Sequence, residues 1–415
     1  MNILIIGNSE SVHTARFATE FAKRGYQIHV LSAREYFGDY VRYPAEVKHV
    51  RFLMWVTKFF QFIFGEKFRN FNPGTSPFYH PSSFLTLLRY IYLLLFVNRV
   101  VKNIDFDAIY ALNLSMGGLF ASRTTKKVPK VCATLGCDVR TYKFPEPAYF
   151  INHPLVIRYV LRRLSSVLNT GDRETFEPLF KRKGFTELSN FEYFGHFGVE
   201  TERFSPVFRD EKIRSKLFNI RPSTILALCH RPPRPDLDLE NIIKAVAQIV
   251  RKNKDFVFAI CTGGNDVTEL KKLVHELKVE SHVLFIGAIP YDGLHTYIAQ
   301  GDIFIDPVNL KKTPTFAHQG ISGSILEAMS CGLIPVVSNR PSINWILPPE
   351  AKPFIFEDFE TDLTDALERA INERDNRRIK DAMRNAVVEK AKWERNIPRI
   401  EKMLSIESND EAKIS

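Results

Sequence analysis

Cysteine is scarce in this chain, five residues in 415, and none of the five stands at the paired spacing that a zinc or iron–sulfur site requires. Cys132, Cys137, Cys229, Cys261 and Cys331 fall mostly within apolar runs or at a helix end, the pattern of buried thiols in a reducing compartment. Long apolar runs are missing too. The most apolar window, residues 84–101, is interrupted by Arg89 and Arg99 and is expected as a helix, not a membrane span. The opening MNILIIG has no basic region ahead of its apolar residues, so no secretory leader is expected. The turn Gly7-Asn8-Ser9 lacks the GxGxxG spacing, which argues against dinucleotide binding at this end.

Acidic residues are sparse in the first half. Residues 1–200 hold 26 Lys and Arg against 16 Asp and Glu, so the formal net charge of +10 resides there, while the remaining 31 of each sign cancel. Within residues 51–102 seven basic residues meet one acidic residue and are interleaved with aromatics from Trp55 onward. Such a segment suits an anionic membrane surface, with aromatics at headgroup depth and Lys58, Lys67 and Arg69 over the lipid. A core-facing helix followed by a loop at 72–76 accounts for it equally. No nucleic-acid reader pattern accompanies the charge, so nucleic acid is not expected as a partner.

What is present is alternation. Residues 2–7 read as a buried-type strand, 11–24 as an amphipathic helix and 27–32 as a second strand; strands at 107–112, 131–135 and 167–169 and a basic helix at 155–164 continue the series. Pro206 and the charges after it mark a linker. The second half restarts at 225–229, with further strands at 256–261, 283–287, 303–305 and 333–337. Beyond 357 the chain reads as helical and charged, with a break at Pro398 and a disordered tail at 406–415. The expected architecture is α/β: a Rossmann-like domain at 1–206, a second at 207–385, helices at 386–405 packing back on the first, and a cleft between the two.

In doubly wound sheets ligands gather at the carboxyl ends of strands, which singles out particular polar residues. Asn8, Ser9 and His13 follow the first strand, although a lone histidine is more often structural. Asp138 follows the strand at 131–135, where capping the next helix is the alternative. Arg231 and Arg234 follow 225–229 and could clamp a diphosphate or sit as solvated loop charge. Asp236 and Asp238 form an Asp-x-Asp, but a proline-rich turn precedes it and a helix follows, so capping suits it better than metal binding. Gly263 lies in the turn after 256–261. The richest stretch is 301–345, where Gly320 and Gly323 flank a helix start, Ser322 and Ser324 can cap it or donate, and Glu327 offers a carboxylate to paired hydroxyls; a packing glycine pair and a helix-dipole glutamate are the alternative.

Four stretches, in order, make the chain resemble glycosyltransferase family 4, the retaining nucleotide-sugar transferases of the GT-B fold. They are SVHTARFATEFAKRGYQIHVLS, GVETERFSP, VLFIGAIPYDGL and QGISGSILEAMSCGLIPVVS. The resemblance implies that Glu327 meets the nucleotide ribose and that Gly320, Ile321, Ser322, Gly323 and Ser324 meet the diphosphate. It places the family's basic pair at Arg231 and Arg234, with Asp236 where a lysine usually stands and Lys311 or Lys312 as substitutes. Gln319 occupies the first acidic position of the donor loop; as an amide it can accept from a sugar hydroxyl but cannot act as an anion or base. Leu135 stands near the family's first-domain histidine, leaving that role absent or to Asp138, with His13 on the acceptor side.

The function so implied is metal-independent transfer, with retention, of a sugar from a nucleoside-diphosphate sugar to a lipid-linked or cell-surface glycan acceptor, catalysed around Asp138, Gln319 and Arg231. No resident cofactor or metal is expected, and the enzyme would be cytoplasmic or peripheral on the inner face of the membrane. A nucleotide-sugar epimerase of the same fold and a catalytically silent binding subunit are the alternatives.

Overall fold

The segment NILII at Asn2–Ile6 is apolar after its first residue, as a strand covered on both faces must be, and Ile3 to Ile6 are all buried. In the computed structural model it is β1, an inner strand of a parallel sheet. The structure describes residues 1–9, 11–33, 41–54, 58–59, 62, 81–134, 153–171, 173–182, 185, 189–231, 237–261, 267–312 and 321–405, with the backbone alone at 81–86, 175, 179 and 182. The chain divides into two units, Met1–Phe194 together with the residues from Ile397, and Gly195–Asn396.

The first unit carries β1, β2 (Gln27–Leu31), β3 (Lys48–His49), β4 (Ala108–Leu112), β5 (Lys130–Ala133), β6 (Ser166–Asn169) and β7 (Phe191–Tyr193) in the order β3-β2-β1-β4-β5-β6-β7, all parallel. Parallel neighbours need crossovers. The helix Val12–Lys23 supplies the first and sets Phe17 against Tyr110, ring centroids 4.7 Å apart.

The apolar window forms the helix Pro81–Val100, with an inverted polarity. Arg89 is buried, its Nε donates to the Ala33 carbonyl at 2.9 Å and its guanidinium lies 4.2 Å from the Phe52 ring centre. Leu93 and Val97 face inward with it, while Leu87, Leu88, Ile91, Leu95 and Phe96 are 37–60% exposed. Most of the aromatic stretch before this helix, including Trp55, Lys67, Arg69 and the loop at 72–76, lies outside the described residues.

The second unit carries β8 (Ile225–Cys229), β9 (Phe256–Ile260), β10 (Val283–Phe285), β11 (Ile303–Ile305), β12 (Ile334–Ser338) and β13 (Ile355–Phe356) in the order β10-β9-β8-β11-β12-β13, again parallel. One face packs the helices Leu239–Lys252 and Leu363–Asn372 around Ile225, Phe258, Ile305 and Val336. The other packs Gly323–Ser330 and Arg377–Lys390 around Leu226, Leu228 and Phe304.

The expected α/β class with two doubly wound sheets is therefore observed. Three strands go beyond the sequence reading, β3, β7 and β13, all at sheet edges and two or three residues long, too short for any periodicity. Residues 195–206, read as the end of the first domain, pack in the second unit, where Val199 and Phe204 are buried in its core and Arg384 donates to the Thr201 and Phe204 carbonyls. The expected break at Pro398 does not occur. Pro398 sits inside the helix Trp393–Ser405, where burial of Ile397, Ile400, Met403 and Leu404 outweighs the one backbone hydrogen bond a proline removes. The tail at 406–415 lies outside the described residues.

Candidate functional site

Both sheets reverse winding direction beside their first strand, and the crevice at such a switch point is where α/β sheets take ligands. In the second unit it lies between β8 and β11. Three strand ends and one helix deliver charged side chains there.

His230 and Arg231 follow β8 directly. Asp306 follows β11 and is fully buried; its Oδ1 lies 3.3 Å from Arg231 Nη1 and its Oδ2 2.6 Å from Arg340 Nη2. Arg340, just past β12, also donates to the Ser338 carbonyl and hydroxyl at 3.3 and 3.0 Å. A buried carboxylate held by two guanidinium groups fixes the side chains leaving three adjacent strands.

The helix Gly323–Ser330 lies between β11 and β12 in the chain. Its leading N–H groups have no intrahelical carbonyl, and Ser322, although the N-cap residue, makes no capping bond with its side chain; its hydroxyl accepts from Ser324 Oγ at 3.0 Å. Glu327, one turn in, is 9% exposed and its Oε2 lies 3.0 Å from His230 Nε2. A methyl group placed on Gly323 would lie 3.7 Å from His196 Nε2 and 4.0 Å from Glu327 Oε1, so these three converge over the bare Cα. His196 Nδ1 accepts from the Gly198 N–H at 2.9 Å, which leaves Nε2 as the proton-bearing nitrogen of a neutral ring. A helix N-terminus with a glycine at its mouth, flanked by an imidazole and a carboxylate, can bind an anion and paired hydroxyls side by side.

Of the residues singled out from the sequence, Arg231, Ile321, Ser322, Gly323, Ser324 and Glu327 are described, and Ile321 is buried beneath the helix start. Asp138, Leu135, Gln319, Gly320, Arg234, Asp236 and Gly263 lie outside the described residues. Asp238 caps the helix Leu239–Lys252 and also accepts from Asn309 at 2.6 Å and Lys312 at 2.8 Å. Burial alone would raise its carboxyl, yet these partners hold it below the ordinary aspartate value. Lys311 pairs with Asp358. Both lysines considered as substitutes thus have carboxylate partners of their own.

Asn8, Ser9 and His13 stand at the other switch point, between β1 and β4 of the first unit. Ser9 is buried, its N–H donates to Ser32 Oγ at 3.2 Å and its carbonyl accepts from the Tyr43 hydroxyl at 2.6 Å. Asn113, in the left-handed region at φ 73°, accepts from Ser115 N and Met116 N with its Oδ1. A methyl group on Gly117 would fall 2.4 Å from the Leu112 carbonyl and 2.5 Å from that of Ile6, so the turn after β4 rests on the ends of β4 and β1.

His230, Asp306, Arg340 and His196 were not among the residues read from the sequence. The first three are polar residues directly or shortly after an apolar strand, the same signal that marked Arg231; His196 carries no such signal.

Residues 216–392 match the family described as glycosyl transferases group 1. A GDP-mannose-dependent alpha-(1-6)-phosphatidylinositol monomannoside mannosyltransferase of Mycolicibacterium smegmatis is 29% identical over 194 residues, 45% of this chain and 48% of that protein. The chain thus matches about half the length of that relative. Among solved structures, sucrose-phosphate synthase from Thermosynechococcus elongatus superposes with a TM-score of 0.72 at 14% identity over 97% of this chain and 98% of its own. Anabaena HepE in complex with UDP and glucose gives 0.64 at 14% identity over 98% and 99%. The GT-B fold and the glycosyltransferase resemblance drawn from the sequence are both borne out.

Proposed function

With residues 216–392 carrying the glycosyl transferases group 1 domain on a GT-B fold, we propose that the chain transfers a sugar from a nucleoside-diphosphate sugar to a lipid-linked or cell-surface glycan acceptor. Transfer proceeds with retention and without a divalent ion. The observation that carries the reading is the convergence of Arg231, Glu327 and the N-terminus of Gly323–Ser330 at the second sheet's switch point.

As the bond from the anomeric carbon to the diphosphate breaks, negative charge gathers on the leaving oxygens. Helix N–H groups and the Arg231 guanidinium stabilise that charge where it develops. The acceptor oxygen bonds to the anomeric carbon on the face the diphosphate leaves, and its proton passes to a phosphate oxygen, so no side-chain base is called for. Glu327 accepts from the ribose hydroxyls, and recognition of the donor sugar and diphosphate is assigned from the sequence resemblance to Gln319, Gly320 and Arg234, which lie outside the described residues. Asp138, Asn8, Ser9 and His13 serve the acceptor.

A lipid-linked acceptor is supported by the lipid named for the Mycolicibacterium relative and by the first unit's surface. There Pro81–Val100 exposes leucines, an isoleucine and a phenylalanine, and Arg99, Lys102 and Lys58 of the same unit are exposed as well. No helix among the described residues is long and apolar enough to cross a membrane. Attachment would be peripheral, on the cytoplasmic leaflet.

A panel of uridine, guanosine and adenosine diphosphate sugars, scored by melting temperature and by product formed with and without chelator, tests this. One base should raise the melting temperature, and product should survive chelation with the donor's anomeric configuration. An inverted product, or activity lost with chelator, removes the mechanism; a melting point indifferent to every donor removes the donor site. Sedimentation with anionic vesicles at rising salt tests attachment, which should weaken by about 1 kcal/mol for each of Lys58 and Arg99 neutralised.

A further inference from the structure

We propose that His230 is the positioning residue for Glu327, orienting the carboxylate that the donor-site reading places on the ribose glycol of a nucleoside diphosphate. The inference rests on the donor-site reading above and deepens it.

The His230 side chain is 3% exposed and that of Glu327 11%. The ring lies tilted against Phe304, centroids 5.3 Å apart, with Nε2 at 3.0 Å from Glu327 Oε2. A carboxylate only accepts, so Nε2 carries the proton in this contact. Nδ1 is buried and meets no hydrogen-bond partner among the described residues. For the fold alone this is a poor arrangement, because a buried nitrogen left unpaired costs stability.

It makes sense as a device for aiming the carboxylate. A glutamate side chain has three rotatable bonds, and a glycol presents two donors that must meet two oxygens of one plane. Fixing Oε2 from the β8 side leaves Oε1 turned toward the open Cα of Gly323 and His196. The hydroxyls of an entering ligand then find an oriented acceptor.

Titration calorimetry with UDP, GDP and ADP and with their 2′,3′-dideoxy counterparts separates this from a packing role. Wild type should lose about tenfold or more in affinity when the glycol is removed, the range expected for hydrogen bonds to a charged group. In His230→Ala that ratio should collapse toward one. His230→Gln, whose amide reaches the Nε2 position, should restore it. His230→Asn, which reaches only the Nδ1 position, should not. His275→Gln, at an exposed histidine paired with Glu280, should leave the ratio unchanged.

An alanine variant that keeps the wild-type ratio, or an asparagine variant that restores it as well as glutamine, overturns the proposal. The glutamine and asparagine pair decides it if the alanine variant does not fold. Wild type binding none of the diphosphates would instead defeat the donor-site reading and carry this inference down with it.

Discussion

The two sheets share one winding order but end in different chemistry. Along the carboxyl edge of the first, the described residues are largely amides and hydroxyls: Asn8, Ser9, Asn113, Ser115, Thr134, Asn169 and Thr170. Several are tied to backbone, as in the Thr170 hydroxyl donating to the Thr134 carbonyl at 3.2 Å and the Gly171 N–H to Asn169 Oδ1 at 2.8 Å. Along the second edge stand His230, Arg231, Asp306, Glu327 and Arg340, bonded to one another across three strands and a helix. Neutral groups that both donate and accept suit an uncharged polyol. Fixed charges and a helix N-terminus suit a diphosphate and a ribose. On the proposed reading one topology would serve two kinds of ligand, because function resides in the few residues past each strand, not in the strands.

The comparison breaks most visibly at Asp306. Asp306→Ala would leave Arg340 charged and buried, so we expect a loss of about 3–5 kcal/mol in denaturant-measured stability. A smaller loss would mean the charged edge is less tightly interlocked than its distances imply. Next in size, Glu327→Ala should weaken nucleoside-diphosphate binding by about 1.5–3 kcal/mol in calorimetry. Asn8→Ala should leave that binding unchanged and raise only the KM for acceptor. If both variants weaken nucleotide binding alike, the division of labour between the edges is wrong.

Gly323→Ala is subtler. The added methyl meets its neighbours at 3.7–4.0 Å, an ordinary contact, so the melting temperature should hold while diphosphate affinity falls by about 1 kcal/mol as the approach to the helix N-terminus is filled.

Much of the architecture was legible because buried parallel strands write themselves as apolar runs. Ile225–Cys229 and Ile303–Ile305 stand where the sequence placed them. Edge strands such as Ile355–Phe356 left no trace, since two residues carry no period. The helix Gly323–Ser330 announced itself through Gly323 and the apolar spacing after it. What could not be read was pairing across long separations: His230 reaches Glu327 97 residues later, and Asp306 joins Arg231 to Arg340. Local patterns mark which residues reach an edge. Which of them meet there depends on strand order, and no spacing along the chain encodes it. Pro398 shows the converse, a strong local signal overruled by burial around it.

The inward arginine of Pro81–Val100 has a consequence for handling the protein. Because Arg89 and Leu93 hold the helix down, its outer leucines are dispensable to folding, and in detergent-free buffer they would drive molecules together. Replacing Leu87, Ile91 and Leu95 by glutamine should therefore give a monodisperse sample at concentrations where the parent chain clusters. Arg89→Gln, aimed at the opposite face, should loosen the helix and make the clustering worse.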